Sequence, residues 1–485
     1  MRGNTLLFRT FAVPLSFIQK QKGMSYQFSK YETHYRNLTY LGVPIIIGQL
    51  GNLILNFADT LMIGHHSTEE LAAAAFVNNM FTLVIIFAIG FTYAVTALVG
   101  TLYGQEKTHR IGELMKSAVA ANTCMAVFLS VIMTALYLNV HRLGQPEELL
   151  PLIRPYFLIQ LVSLPFVCWF NTFRQFTDGI TDTKVAMWIL VSGNVMNIFG
   201  NWILIYGHLG IPEMGLIGAG LSTMISRIVM AIVMAGVFFF GRKYREYRKG
   251  WRLGHTNRTD FRQITVLGLP LALQMGMEAA AFSLSSLMVG WFGTTSLAAH
   301  QVMLTISQLG YMIYYGLAAA VAVRISNFMG QRDYTSVRRT ATAGIHLVFL
   351  LALSTSVPVF LCRHIIGGLF TDNADVISMV SMTIVSFMIY QFGDGMQCNY
   401  ANALRGIAVV RPLTWIAFIA FFVVSLPLGY FFGVVMDYRL LGVWYAFPFG
   451  LTTAGILYYV YYQKGLKRIE SSTEERIGTP QPERR

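Results

Sequence analysis

Apolar residues recur along this chain in long runs separated by short polar segments. Twelve runs fall at 41–63, 74–100, 117–139, 150–172, 184–206, 215–239, 264–291, 297–323, 341–361, 376–401, 412–436 and 441–462. A helix needs roughly 20 apolar residues to cross the hydrocarbon core of a bilayer. Backbone groups in lipid must be satisfied within the segment, so helices are the expected form. The pattern predicts an all-α polytopic membrane protein with twelve transmembrane helices.

The pattern also repeats itself with an offset of 226 residues. Leu41, Gly42 and Pro44 return as Leu267, Gly268 and Pro270. Leu61, Met62 and Gly64 return as Leu287, Met288 and Gly290, and Gly104-Gln105 as Gly330-Gln331. No gap is needed over this stretch. Each half holds an even number of spans, so the two halves share one orientation about an axis along the membrane normal. The expected division is an N-terminal cytoplasmic segment (1–35), a six-helix bundle (36–240), a basic linker (241–263), a second six-helix bundle (264–463) and a disordered cytoplasmic tail (464–485). Residues 4–18 are moderately apolar but carry Arg9 and Pro14 and are too short to span. A start at Met24 is the favoured reading of that segment, with an interfacial helix as the alternative.

Composition agrees: 55% of residues are hydrophobic and 12% charged, which excludes a soluble globular chain of this length. The net charge of +13 is explained by its distribution. With both termini cytoplasmic, that face holds Lys107, Arg110, Lys116, Arg324, Arg332, Arg338 and the dense cluster Arg242–Arg262, whereas the far face holds Arg142, Arg154, Arg363 and Arg439. This is the positive-inside asymmetry. No basic–aromatic module accompanies the charge, so nucleic acid is not an expected partner. Cys124, Cys168, Cys362 and Cys398 lie in spans or at their ends, without disulfide or metal spacing. They read as packing residues.

Three acids interrupt the apolar runs, each alone in its run: Asp59, Glu278 and Asp394. A charge at mid-bilayer costs about 2.5–3.5 kcal/mol on insertion scales, so such residues face water and mark an ion or substrate path. Under the repeat, Asp59 corresponds to Ser285 and Glu278 to Asn52, so the acids are not products of duplication. Gln49, Asn52, Asn56 and Asp59 share one helical face, as do Asn194, Asn197 and Asn201. Interhelical hydrogen bonding is the plain reading of the amides. An ion site is the functional one, with Asn197 and Asn201 offering neutral oxygens beside Asp59. In the second half Tyr390 and Asp394 stack one turn apart, and Gln274 precedes Glu278 by one turn. A buried carboxylate is suited to binding and releasing a proton, and a carboxylate pair with a phenol oxygen is equally suited to sodium. Arg227 lies mid-span in the sixth run and is read as structural or charge-balancing, pairing with Asp59 or with backbone carbonyls. Gln49, Asn52, Asn56, Gln274, Met275 and Met303 are the candidate lining of a substrate cavity. Flexible thioethers and aromatic faces suit flat organic cations.

The segments Asn56–Gly64 (NFADTLMIG), Arg174–Gly179 (RQFTDG) and Tyr390–Asp394 (YQFGD), with Leu404-Arg405-Gly406, resemble the multidrug and toxic compound extrusion (MATE) transporters of the NorM-like bacterial branch. The resemblance covers roughly 36–465. It implies two six-helix bundles around a V-shaped cleft, export of cationic drugs in exchange for sodium or protons, no cofactor, and a monomer in the bacterial inner membrane. It also implies a second-lobe cation site at Glu278, Tyr390 and Asp394, and a first-lobe site at Asp59 completed by Asn197, Asn201 and Thr223. A lipid-linked or polysaccharide flippase of the same superfamily is the alternative. The cavity acids outnumber the mid-span bases, which favours cationic cargo. An enzyme is not expected: Gln391 breaks the Gly-x-Gly-Asp pattern of intramembrane aspartyl proteases at Asp394, and no zinc motif occurs.

Overall fold

The computed structural model describes residues 15–142 and 146–478, with side chains from 30 to 475 outside that gap. Twelve helices among the described residues are long and apolar enough to cross a membrane, one for each predicted run. The first bundle comprises α1 (Leu15–His66), α2 (Thr68–Gly104), α3 (Thr108–Leu138), α4 (Leu150–Gly179), α5 (Thr183–Tyr206) and α6 (Gly215–Phe240). The linker folds as a short helix, α7 (Arg245–Leu253). The second bundle comprises α8 (Arg258–Gly290), α9 (Thr294–Gln331), α10 (Tyr334–Leu361), the one-turn α11 (Arg363–Ile366), α12 (Ala374–Gly406), a broken eleventh span and α15 (Arg439–Gly478). That eleventh span alternates α13 (Arg411–Ala417) and α14 (Leu426–Tyr430) with wider π turns at Phe418–Ser425 and Phe431–Val435. Pro427 has no N–H to donate to the ladder, and the widened turn before it accommodates that loss.

The helices overrun the predicted apolar runs. α9 has 38 residues, about 57 Å at 1.5 Å per residue, well past the ~30 Å hydrocarbon core. Polar side chains fix the turns between spans. Asn373 Oδ1 caps α12 by accepting from the amides of Asp375 and Val376, at 2.9 and 3.3 Å. Asp333 does the same for α10 through Ser336 N at 2.9 Å.

The two bundles meet along a seam whose contacts come in reciprocal pairs under the 226-residue offset. A Cβ on Gly42 would fall 2.9 Å from the Leu317 side chain, and one on Gly268 would fall 2.8 Å from Phe91. Gly90 would meet the Ala272 backbone at 2.8 Å and Gly316 the Ile46 backbone at 2.9 Å. At the linker end, Gly104 would strike the Asn327 carbonyl at 2.0 Å and Gly330 the Thr101 carbonyl at 2.1 Å. Small residues let helix backbones approach closely where lipid offers no hydrophobic drive. Side chains add His34 to Thr340 (3.0 Å) and Tyr35 to His346 (2.8 Å) across the lobes. Asn327 donates to two carbonyls of the other lobe, Gly100 O at 3.1 Å and Gly179 O at 3.2 Å.

These seam glycines and hydrogen bonds all lie between the linker end and the level of Phe87 and Gly276, near mid-membrane. Among the described residues none joins the far halves of α1 and α2 to those of α8 and α9. The lobes are therefore clamped at the linker end and form a V opening at the other. Asn327→Ala removes two interhelical bonds worth about 0.6 kcal/mol each. It is expected to shift the closed–open balance at this end roughly five- to tenfold toward open. Spin-label distances between the linker ends of α3 and α10 check this.

One expectation is corrected. The tail predicted to be disordered from 464 continues α15 as helix to Gly478. Its polar side chains find partners on α10: Glu470 pairs with Arg338, and Thr473 Oγ1 meets Tyr334 OH at 2.9 Å. A sequence rich in charge reads as solvated unless the facing helix is known to complement it. The readings of residues 1–14 and 479–485, and of the side chains around Met24, fall outside what is described.

Candidate functional site

In the second lobe, α8, α9 and α12 bring their polar residues together near the apex of the V. Glu278 Oε2 accepts from Gln274 Nε2 at 3.2 Å, and Oε1 accepts from Gln397 Nε2 at 3.1 Å. Asp394, only 1% exposed, accepts on Oδ2 from the Tyr314 hydroxyl. Tyr390, one turn before Asp394 on α12, packs its ring on Trp444 and Phe447. Both amides spend their NH2 groups on Glu278, and the Oε1 atoms of Gln274 and Gln397 are left buried without a partner. The two carboxylates and the two unpartnered amide oxygens on α8 and α12 are all hard oxygen donors, a chemistry that suits a monovalent cation or a proton. A buried polar oxygen without a partner costs roughly 1–3 kcal/mol, and a bound cation offsets that cost.

In the first lobe, Asp59 Oδ1 accepts from Asn201 Nδ2 at 2.6 Å. Asn197 Nδ2 donates to Thr223 Oγ1 at 3.1 Å, and Ser222 Oγ donates to the Asn197 carbonyl at 2.8 Å. The side-chain oxygens of Asn197 and Asn201 are again buried and unpartnered. The four residues named for the first-lobe site thus lie in two hydrogen-bonded pairs, Asp59 with Asn201 and Asn197 with Thr223, on α1, α5 and α6. Arg227 does not pair with Asp59 or with backbone carbonyls. Its Nη1 donates to Gln160 Oε1 and Ser163 Oγ on α4, both at 2.7 Å. That tether leaves the Asp59 carboxylate free of a competing ion pair among the described residues.

The candidate cavity residues divide. Gln274 and Met275 line a crevice with Glu278, Tyr311, Tyr315, Gln397 and Arg405. Gln49 lines a second crevice between the lobes, with Tyr93, Thr96, Arg174, Asp178, Tyr315 and Arg405. Asn52 is tied to Asn194 at 3.3 Å. Asn56 is exposed on α1, and its carbonyl accepts from Thr60 Oγ1. Met303 is corrected: it is 0% exposed and sits in the apolar core between α8, α9 and α12, not on a cavity wall.

This arrangement can be compared with known proteins. The MatE family model matches residues 44–203 and matches again over 270–431. The chain belongs to the MatE family. The two matches begin 226 residues apart, the offset of the internal repeat. The chain is 30% identical over 436 residues to a "Probable multidrug resistance protein NorM" of Photorhabdus laumondii, covering 88% of this chain and 94% of that one. In fold it is similar to a Vibrio cholerae MATE transporter (TM-score 0.83, 17% identity, 91% of this chain and 98% of that one). It is also similar to a eukaryotic MATE transporter (TM-score 0.81, 16% identity, 91% and 99%). A MOP superfamily transporter from Pyrococcus furiosus matches at TM-score 0.82 with 19% identity, over 90% and 97%. The relatives of this MatE-family protein are multi-pass membrane transporters, not enzymes.

Two groups of the candidate site in this MatE-family protein escaped the sequence reading. Gln397 lies three residues after Asp394, on the same face of α12, so helical spacing alone points to it. Tyr314 was legible only as an aromatic. Its hydroxyl reaches Asp394 from another helix, and no spacing rule relates α9 to α12.

Proposed function

We propose that this MatE-family transporter is a cation-coupled antiporter that exports organic cations by alternating access from a bacterial inner membrane, with both termini cytoplasmic. The observation that carries the reading is the pair of carboxylates Glu278 and Asp394 at the apex of a cleft clamped at one end. Asp59 with its orphaned amide oxygens supports it. The basic linker makes the clamped end cytoplasmic by the positive-inside rule, so the V faces outward. In that state sodium or protons neutralise the acids and an organic cation held by them leaves. When the lobes part at the linker end, the coupling cation is released and the ionised carboxylates take up a new organic cation. Cargo and coupling cation act on one another through the charge of a shared site, so each weakens the other's binding by the same factor.

The test is ethidium efflux from proteoliposomes under an imposed sodium gradient and then a proton gradient. Efflux is expected under one of the two, lost in both Asp59→Asn and Asp394→Asn. Sodium-driven efflux makes the acids a sodium site, and efflux driven only by protons makes them proton carriers. Absence of efflux under either gradient overturns the proposal.

A further inference from the structure

Arg405 is the buried cation that the scheme above leaves unused. It is 4% exposed, makes no ion pair among the described residues, and keeps a buried Nε without a hydrogen-bond partner. Its guanidinium lies 3.9 Å from the ring centroid of Tyr93 in the other lobe. The Tyr93 hydroxyl in turn bonds that of Tyr315. A cation over an aromatic face is stabilised by the ring quadrupole, more strongly when desolvated. A buried charge without an ion-pair partner is costly enough that its position, in the last turn of α12, calls for a function.

The position is specific. One crevice ends on Glu278; the other reaches further toward the linker end, to Asp178 and Val323. The two share only Tyr315 and Arg405 in their linings. These two side chains are therefore the partition between the coupling acid and the interlobe path to the linker end. The partition is built from both lobes: Arg405 on α12, Tyr315 on α9 and Tyr93 on α2. Asp178, in the second crevice, pairs with Arg174 at 3.7 Å and leaves the Arg405 charge uncompensated.

We infer that Arg405, seated on Tyr93 and walled by Tyr315, is a charge barrier that stops small cations at Glu278 from leaking to the linker end while the lobes are closed there. A fixed positive charge in a narrow path excludes cations by electrostatics at small structural cost. The barrier rests on Tyr93 of the opposite lobe, so separating the lobes removes its seat, and the path opens only in the state that should release the cation. The inference builds on the antiport reading.

The test is drug-free flux of radioactive sodium, and of protons by an entrapped pH dye, through proteoliposomes of the full chain. Arg405→Gln is expected to leak at least tenfold faster than wild type for the coupling cation, and Arg405→Lys to stay near wild type. Equal leak through Gln and Lys variants, or no added leak through Arg405→Gln, overturns the barrier. A second measurement needs no transport. Cys398 lines the Glu278 crevice and, with Cys124, Cys168 and Cys362 replaced by serine, is the sole thiol. Its labelling by cationic, anionic and neutral methanethiosulfonates applied from the linker side reads the barrier directly. Arg405→Gln should raise cationic labelling at least tenfold relative to anionic. An equal rise for all three reagents would mean loosened packing and would sink the charge barrier. If wild type shows no drug-dependent cation flux, the antiport reading fails while the labelling still decides on Arg405.

Discussion

Asp394→Asn is expected to abolish coupled efflux while leaving the fold intact. The substitution conserves shape and keeps one oxygen for the Tyr314 hydroxyl, so the core around α9 and α12 has no cavity to close. It removes one of the two negative charges at the apex. Truncating one member of a buried charged constellation costs about 2–5 kcal/mol, which is a loss of about 30-fold or more in affinity for the coupling cation and for an organic cation alike. Both halves of the exchange fail together, because the same charge serves both ligands. Efflux in proteoliposomes should fall to the level of empty vesicles, while elution profile and melting temperature in detergent stay near wild type. Efflux at the wild-type rate in this variant would remove Asp394 from the coupling site.

The second large effect belongs to Gly104. Leucine there would place a Cβ 2.0 Å from the Asn327 carbonyl oxygen, a backbone atom near the C-terminal end of α9. No rotamer change relieves that overlap, so α2 and α9 must separate at the linker end. Overpacking typically costs 1–3 kcal/mol when side chains can yield, and here they cannot. Gly104→Leu is expected to hold the lobes apart at the clamped end and to stop turnover without unfolding either bundle. Spin-label distances across the linker end should lengthen and lose their closed population. Gly330→Leu should behave alike, since its Cβ meets the Thr101 carbonyl at 2.1 Å. Gly236, whose Cβ would meet nothing within 4 Å, is the control, and Gly236→Ala should export normally.

The spans, their number and the duplication were legible because bilayer thickness and the repeat impose one-dimensional signals. So were Asp59, Glu278 and Asp394, whose placement in apolar runs has few structural explanations. What escaped is three-dimensional. Tyr314 and Arg227 take their roles from partners on other helices. Met303 was misplaced because a membrane helix is apolar on the lipid side and the core side alike, so hydrophobicity does not distinguish a core wall from a cavity wall. The tail was misread because its charges looked solvated, whereas Glu470 and Thr473 complete the surface of α10.

The reciprocal glycine contacts carry a consequence for the protein's origin. An interface in which residue i of one unit touches j of the other, and j touches i in return, is what two identical subunits make about a two-fold axis. Gly42 on Leu317 with Gly268 on Phe91, and Gly104 on Asn327 with Gly330 on Thr101, are such pairs. The seam is that of a homodimer written into one polypeptide, and α7 with its flanking loops is the tether that makes the pairing intramolecular. Fusion freed each subunit to diverge without disturbing the contact surface. The polar positions of the spans show that divergence: under the same offset Asp59 corresponds to Ser285 and Glu278 to Asn52, while the glycines of the seam have stayed in register.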